Sequence, residues 1–363
     1  KTAAEFPPFG KNFMKNHGYL MVVDWSNKKI VAAKKLQFPF GPLMVSSDPR
    51  KSFRDRMFVP CWKYNEILLL EGPKLVKILT HPTFSHIHNI DLIPDTENPD
   101  AYNLLVSSSG TDLVAEVSQN GELRREWWAF DHGYDKTKRG ETLNSSNFDK
   151  EFDYRHCWAP TARQTTHVNC TIAYDDNSWL ATLPIVGQLV HVDRRTGNAK
   201  VVLEHLAFPH SIRPRANKDN GFILSNTLAN EVIYLTKDLK KEKVLRFNIP
   251  LTWIQDCMEF PNGHLLLCTN RKLPLDDFGP EDPKDTNLIV ETDAEGNVLS
   301  MVDALRDQRL YCAELITQQE AEYWAAAFQK DSNAEQTLQE LSDIKWLDET
   351  NNNGNAAKKH KSH

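Results

Sequence analysis

Four side chains able to ligate, attack or move a proton stand at matching places along this chain. His88, His167, His210 and Asp256 each lie just before or at the start of an apolar, strand-like run, at intervals of 79, 43 and 46 residues. Neutral imidazole is the commonest protein metal ligand, and it also serves as general acid, base or nucleophile. His86 competes with His88; His-x-Ile begins at His88 as it does at His210, so His88 is preferred. One histidine at a strand start is ordinarily a structural hydrogen-bonding residue. Three at equivalent places, in a chain with 13 His, form a functional signal. Arg213 and Arg215 follow His210, and a guanidinium beside imidazoles suits an anionic group such as sulfate or carboxylate. Arg215 is assigned instead to a salt bridge with one of the many acidic residues. Asn169, Asn226 and Asn230 can line the same place or make turns. Trp127, Trp128 and Trp253 read as packing, and His264, after a turn, as a surface or second-strand residue.

The elements that must position these groups repeat. From His167 the chain runs through an apolar strand and an Asp175-Asp176-Asn177 turn. Strands then follow at Trp179–Leu183, Gln188–Asp193 and, after a Thr196-Gly197-Asn198 turn, Lys200–Glu204. A four-stranded unit of roughly 40 to 50 residues is the signature of a β-propeller blade. Asn120-Gly121 between two alternating runs is a further hairpin signal. The first strand of each propeller blade lines the central channel, so the four groups are expected to converge at one channel mouth.

The expected architecture is an all-β, six-bladed β-propeller, with five or seven blades as alternatives, and a C-terminal helical extension. Residues 1–17 read as a loop, 18–316 as the propeller and 131–166 as a capping loop inserted in it. Residues 317–346 read as helical and 347–363 as a disordered tail. Gly18–Leu36 reads as half a blade, completed by a strand at Leu310–Ile316 that closes the ring. The first and last blades must seal or leave open edges. Phe38–Pro49 reads as a Pro-rich connection. Arg155, His156 and Arg163, in the inserted loop, can add to an anion site.

Composition narrows the class. The chain has 363 residues, a net charge of −6 and nine Trp. Its pI is about 6.1, so no overall basic field argues for nucleic acid. No apolar run is long enough for a membrane span. The six Cys lack CxxC spacing, which argues against a zinc ribbon or a thioredoxin-type site. Localisation is expected to be secreted or periplasmic if a signal peptide was removed, and cytoplasmic otherwise. Two sequons occur, at Asn144 and Asn169, the second on an expected inner strand.

Several motifs carry a resemblance. They are the His that opens successive blades, Trp253-x-x-Asp256 followed by Pro261-Asn262-Gly263 and an apolar strand, Glu291 before Glu295-Gly296-Asn297, and Tyr311-x-Ala313-Glu314. Together they resemble the arylsulfotransferase-like β-propellers over residues 86–316. The resemblance implies sulfuryl transfer through a transient sulfohistidine on His88, His167 or His210, with Arg213 as the anion clamp. Asp256, where another His could stand, departs from that pattern. Phe208-Pro209-His210-Ser211-Ile212 is similar to the blade starts of propeller lyases such as the peptide-amidating lyase. That similarity implies a single Zn or Fe ion held by His88, His167 and His210. Three readings follow: a sulfuryl transferase, a metal-dependent lyase or oxygenase-type enzyme, and a non-catalytic binding propeller. The expected partner is a small-molecule substrate, anionic or aromatic. His88, His167, His210, Arg213 and Asp256 are the candidate catalytic residues.

Overall fold

Strand-forming runs rich in Val, Ile, Leu and aromatic residues, punctuated by tight turns, build antiparallel sheets almost throughout. The computed structural model describes residues 17–48, 51–98, 101–144, 148–157, 161–217, 219, 221–247, 253–270, 287–304, 309–342 and 344–347. The fold is an all-β, five-bladed β-propeller. Blade 1 consists of Leu43–Val45, Arg56–Cys61, Glu66–Glu71 and Lys74–Thr80, and blade 2 of Ile87–Pro94, Tyr102–Ser108, Leu113–Ser118 and Leu123–Trp128. Blade 3 consists of Thr171–Asp175, Ser178–Leu183, Gln188–Asp193 and Ala199–Leu203, and blade 4 of Pro209–Pro214, Phe222–Asn226, Glu231–Leu235 and Lys241–Arg246. Blade 5 consists of Ile254–Glu259, Leu265–Thr269, Leu288–Thr292 and Val298–Asp303, with Lys345–Leu347 added as a fifth strand on its outer edge.

The count is thus five, one of the expected alternatives, and not the favoured six. The difference lies at the ends. Gly18–Asp24 and Lys29–Leu36 form a separate two-stranded sheet. Leu310–Ile316 carries no strand. Three of its N–H groups are instead taken by side chains: Leu310 N–H donates to Asn270 Oδ1 at 2.8 Å, Ala313 N–H to Asp256 Oδ2 at 3.3 Å and Leu315 N–H to Met258 Sδ at 3.2 Å. N–H groups spent on side chains are not available to a ladder. Blade 1 in turn begins inside the segment read as a connection, at Leu43–Val45.

The chain divides into two compact units. The first holds Lys1–Ile212 with Ile316–Leu338, and the second holds Arg213–Leu315 with Gln339–His363. In the first unit the seam between blades 1 and 2 is filled by Phe58, Ile67, Ile90, Val106 and Trp128. Phe148 and Tyr154, from the segment joining blades 2 and 3, pack into the same cluster. The seam between blades 2 and 3 holds Leu105, Trp127, Trp179 and Val190. Helix α1 (Gln318–Gln329) starts at a capping box of Thr317 and Glu320. It lays Trp324 and Phe328 on Leu20, Val22, Ala32 and Val59. Burial works to raise the Glu320 carboxyl, but Arg54 and the Thr317 N–H hold it down at about 2. A shorter helix, α2, spans Ala334–Glu340. In the second unit Ile223, Val232, Tyr234, Ile254, Leu265 and Val290 form the seam between blades 4 and 5.

Candidate functional site

Each blade entrance is built by the same local device. A residue at or shortly before the first strand takes positive φ in four blades: Phe38 at 48°, His86 at 52°, His167 at 54° and Phe208 at 57°. Non-glycine residues rarely occupy this region, so the recurrence marks an equivalent position. Side chains also fix the equivalence. Ser109 donates its hydroxyl to the Val168 carbonyl, and Thr227 donates its hydroxyl to the Ile254 carbonyl, each reaching the next blade one residue past the entrance. The entrance residue is therefore Phe38, His86, His167, Phe208 and Trp253 in blades 1 to 5. Two residues further on stand Phe40, His88, Asn169, His210 and Gln255.

This register corrects the spacing read from sequence. His88 and His210 are equivalent, but His167 is not their counterpart. It matches His86, and Asn169 takes the place of His88 in blade 3. Asp256 lies one residue beyond the equivalent Gln255. In blades 2 and 5 the residue two past the entrance sits at a bulge: the ladder slips between Ile87 and Asn89, and again between Ile254 and Asp256. A bulge leaves one residue outside the pairing and re-aims its side chain.

A second repeated residue holds two of the entrances in place. Between the second and third strands the chain turns through a left-handed residue: Asn65 at 48°, Asp112 at 52°, Asn230 at 53° and Gly187 at 65°. Asn, Asp and Gly are the residues that tolerate this conformation. Asn65 Oδ1 accepts the His86 N–H at 2.7 Å. Asp112 does more. Its Oδ1 accepts the N–H of His167 at 2.7 Å and of Thr166 at 3.0 Å, and the Thr166 hydroxyl at 2.7 Å. Its Oδ2 accepts the Thr165 N–H at 2.6 Å. Burial pushes the Asp112 carboxyl up, while these donors oppose the rise.

The histidines of three blades gather in the first unit. The rings of His88 and His167 meet edge to face at 4.8 Å. His86 stacks on Trp62 at 4.4 Å, and Phe40 lies 5.2 Å from His88. Phe208 bridges the group, 6.2 Å from His167 and 5.3 Å from His210. Three imidazoles are oriented alike. His88 donates its Nδ1–H to the His86 carbonyl at 2.9 Å, and His210 donates to the Phe208 carbonyl at 3.1 Å. His167 donates its Nδ1–H to Gln164 Oε1 at 2.5 Å. An acceptor at Nδ1 fixes the tautomer and places the lone pair on Nε2 in all three. His167 and His210 are buried, whereas His88 is half-buried. Burial, and then the neighbouring imidazoles His88, His210 and His86, hold the pKa of His167 well below the usual range. Burial and His88 do the same to His86. Both are neutral at physiological pH.

Arg213 and Asp256 belong to the second unit and are paired with each other. Arg213 Nε donates to Asp256 Oδ1 at 2.9 Å and Nη2 to Oδ2 at 2.7 Å, a bidentate pair. Its Nη1 donates to Glu314 Oε1 at 2.5 Å. Two carboxylates engage this guanidinium, and Asp256 and Glu314 keep its pKa well above the usual value against the pull of burial. The Arg213 and Asp256 expected to act on substrate are thus both committed to an ion-pair network. Arg215 binds Glu259 and Glu242, and Arg155 binds Asp153. His264 meets Glu291 at 3.1 Å. Asn169 is buried, which argues against glycosylation of its sequon in the folded chain.

The anchored imidazoles have the right chemistry for a metal, since ligating histidines usually tie down the other ring nitrogen. Yet among the described residues no group of three or more His, Cys, Asp or Glu is arranged to hold a metal ion. The set does not fit a three-histidine Zn or Fe centre.

Neither a protein-family profile nor a curated protein matches the sequence. Solved structures do match in fold. A protein of unknown function from Bacteroides caccae is 11% identical, with 76% of this chain and 86% of that one covered at a TM-score of 0.46. Virginiamycin B lyase from Staphylococcus aureus is 10% identical, with 78% and 73% covered at 0.45. The calcium-binding protein regucalcin from Agrobacterium tumefaciens is 12% identical, with 73% of each chain covered at 0.43. These are likenesses of fold alone, and membership of the arylsulfotransferase-like family is not among what they establish.

Proposed function

We propose that this propeller is an enzyme working through neutral imidazole, with His88 as nucleophile and His167 as its partner base. One observation carries the reading. Three imidazoles from three blades are each pinned at Nδ1 to a carbonyl oxygen, and the half-buried His88 is in ring contact with a neutral, buried His167. A structural histidine needs a hydrogen bond, but not three matched tautomers, two of them in ring contact.

The specific reaction proposed is sulfuryl transfer from an aryl sulfate. The Nε2 lone pair of His88 attacks sulfur, the bond from sulfur to the aryl oxygen breaks, and the phenolate leaves with its electron pair. An acceptor hydroxyl then takes the sulfuryl group from His88 and gives its proton to His167 Nε2. Trp62 and Phe208, both half-buried, offer aromatic surface for the aryl ring. With Arg213 engaged by Asp256 and Glu314, the clamp on the sulfuryl oxygens must come from other donors.

The test is turnover of p-nitrophenyl sulfate by the full chain, with His88→Ala and His167→Ala beside it. Mass spectrometry of the acid-labile peptide adduct identifies the nucleophile. Turnover lost in both variants, with sulfate trapped on the His88 peptide, supports the reading. Turnover that survives His88→Ala sinks it.

A further inference from the structure

His88 and His210 stand two residues past their entrances, and each gives its Nδ1–H to the backbone carbonyl of its own entrance residue, His86 or Phe208. His167 is itself the entrance residue of blade 3 and has no such carbonyl behind it. Its Nδ1 acceptor is a side chain, Gln164 Oε1 at 2.5 Å, and this is the ring's one hydrogen bond among the described residues. An amide oxygen can only accept, so the imidazole proton is drawn to Nδ1 and the Nε2 lone pair stays open.

Gln164 is held firmly for this task. It is 1% exposed and directly follows the short helical turn Thr161–Arg163. Its N–H donates to the Thr161 carbonyl at 3.1 Å, and its carbonyl accepts the Lys138 N–H at 3.3 Å. The next two residues, Thr165 and Thr166, donate their N–H groups to the two oxygens of Asp112, which also takes the His167 N–H. The acceptor and the ring it serves are thus tied to one carboxylate, a supporting shell that fixes both.

We propose that Gln164 is the positioning residue of the histidine site: it selects the His167 tautomer that can take a proton at Nε2. This deepens the histidine-enzyme reading and rests on it. In the second half of that reaction the acceptor hydroxyl oxygen bonds to sulfur. The bond from sulfur to His88 Nε2 breaks, its electron pair returns to His88, and the hydroxyl proton moves to His167 Nε2. A neutral ring that already carries its proton on Nε2 cannot take it there. Gln164 is shut off from solvent and acts through His167, so its loss falls on kcat and not on KM.

The experiment takes wild type, Gln164→Leu and Gln164→Glu with two readouts. One is turnover of p-nitrophenyl sulfate with phenol as acceptor. The other is the His167 tautomer, from nitrogen NMR of isotope-labelled histidine rings, with the signals assigned by their loss in His167→Ala. Wild type is expected to show Nδ1–H. Gln164→Leu removes the acceptor and is expected to lose the pure Nδ1–H form, with KM unchanged and kcat lowered by on the order of 10²–10⁴-fold, the worth of a working general base. Gln164→Glu restores an acceptor at the same reach and is expected to keep Nδ1–H and most of kcat. Nε2–H in wild type, or an unchanged Nδ1–H form in Gln164→Leu, overturns the proposal. So does a changed tautomer with unchanged kcat, or a loss in Gln164→Glu as large as in Gln164→Leu. If Gln164→Leu does not fold, the wild-type ring and Gln164→Glu decide by the same criteria. If wild type transfers no sulfate, the reaction class falls, and the tautomers of wild type and Gln164→Leu still decide whether Gln164 sets the ring.

Discussion

Replacing Asp112 should loosen the entrance of blade 3 far more than its place in a turn suggests. Its carboxylate accepts three backbone N–H groups, from Thr165, Thr166 and His167, all of them buried. Asp112→Ala leaves those donors without a protein acceptor, at about 1–3 kcal/mol each when no water replaces it. The substitution also puts Ala at φ 52°, a further cost of about 1 kcal/mol. Against this, a buried charge is removed, which recovers several kcal/mol of desolvation. The net expectation is a loss of about 4 kcal/mol. Asp112→Asn keeps an oxygen for Thr166 and His167 and presents an amide to the Thr165 N–H, so about 2 kcal/mol is expected. Asn65 shows that an amide suffices where only one N–H must be held. Urea unfolding of the three proteins measures both values. If Asp112→Ala falls within about 1 kcal/mol of wild type, well under the span for a lost buried acceptor, this carboxylate does not hold the entrance and the argument fails.

Four further outcomes are expected. His86 and His167 have depressed pKa values in the fold, so the unfolded chain binds protons that the folded chain refuses. Stability is then full above about pH 6.5, the unfolded histidine value, and declines as pH falls below it, by about 1 kcal/mol per histidine on reaching pH 5.5; a flat profile in urea titrations between those pH values would contradict it. His88→Ala should unfold within about 1 kcal/mol of wild type, because its ring is half-buried and outside the blade seams; circular dichroism and urea midpoints check this. Arg213→Ala strands buried Asp256 and should cost about 3–5 kcal/mol, while Arg213 variants that fold keep the KM for aryl sulfate; a KM rising more than the stability loss explains would restore the clamp role. Gly187→Ala puts a Cβ 2.5 Å from the Leu206 carbonyl at φ 65°, and a loss of about 2 kcal/mol or more is expected from differential scanning calorimetry.

The blades were readable where turn chemistry and period agree. Asn120-Gly121 marks a real hairpin, with Gly121 at φ 88° and its N–H donating to Ser118. The first strand of blade 1 was hidden because Pro39 and Pro42 disguise it as a connection. A signal was nevertheless present: Phe38-Pro39-Phe40 repeats the Phe208-Pro209-His210 pattern, with positive φ at both Phe residues. The edge strand Lys345–Leu347 was not readable, since its pairing with Val298–Asp303 depends on where the chain returns and not on local pattern.

The site was legible in its members and illegible in its register. Aligning the blades on their histidines places His88, His167 and His210 together, and the rings do gather. But the repeat is carried by backbone conformation: a left-handed entrance residue, a bulge two residues later, and an Asn or Asp of the preceding blade that accepts the entrance N–H at two of the entrances. None of these constrains residue type tightly. The entrance accepts Phe, His or Trp, and the position two residues on accepts Phe, His, Asn or Gln. A histidine can therefore stand at either position and still reach the same neighbours, as His86 and His88 do from one strand. Once His167 is assigned to the entrance, blade 3 must have another residue at the bulge. That residue is a buried amide with an unmatched donor. The two-residue offset, invisible in spacing alone, is what separates Asn169, at the position of His88, from the other Asn residues of the chain.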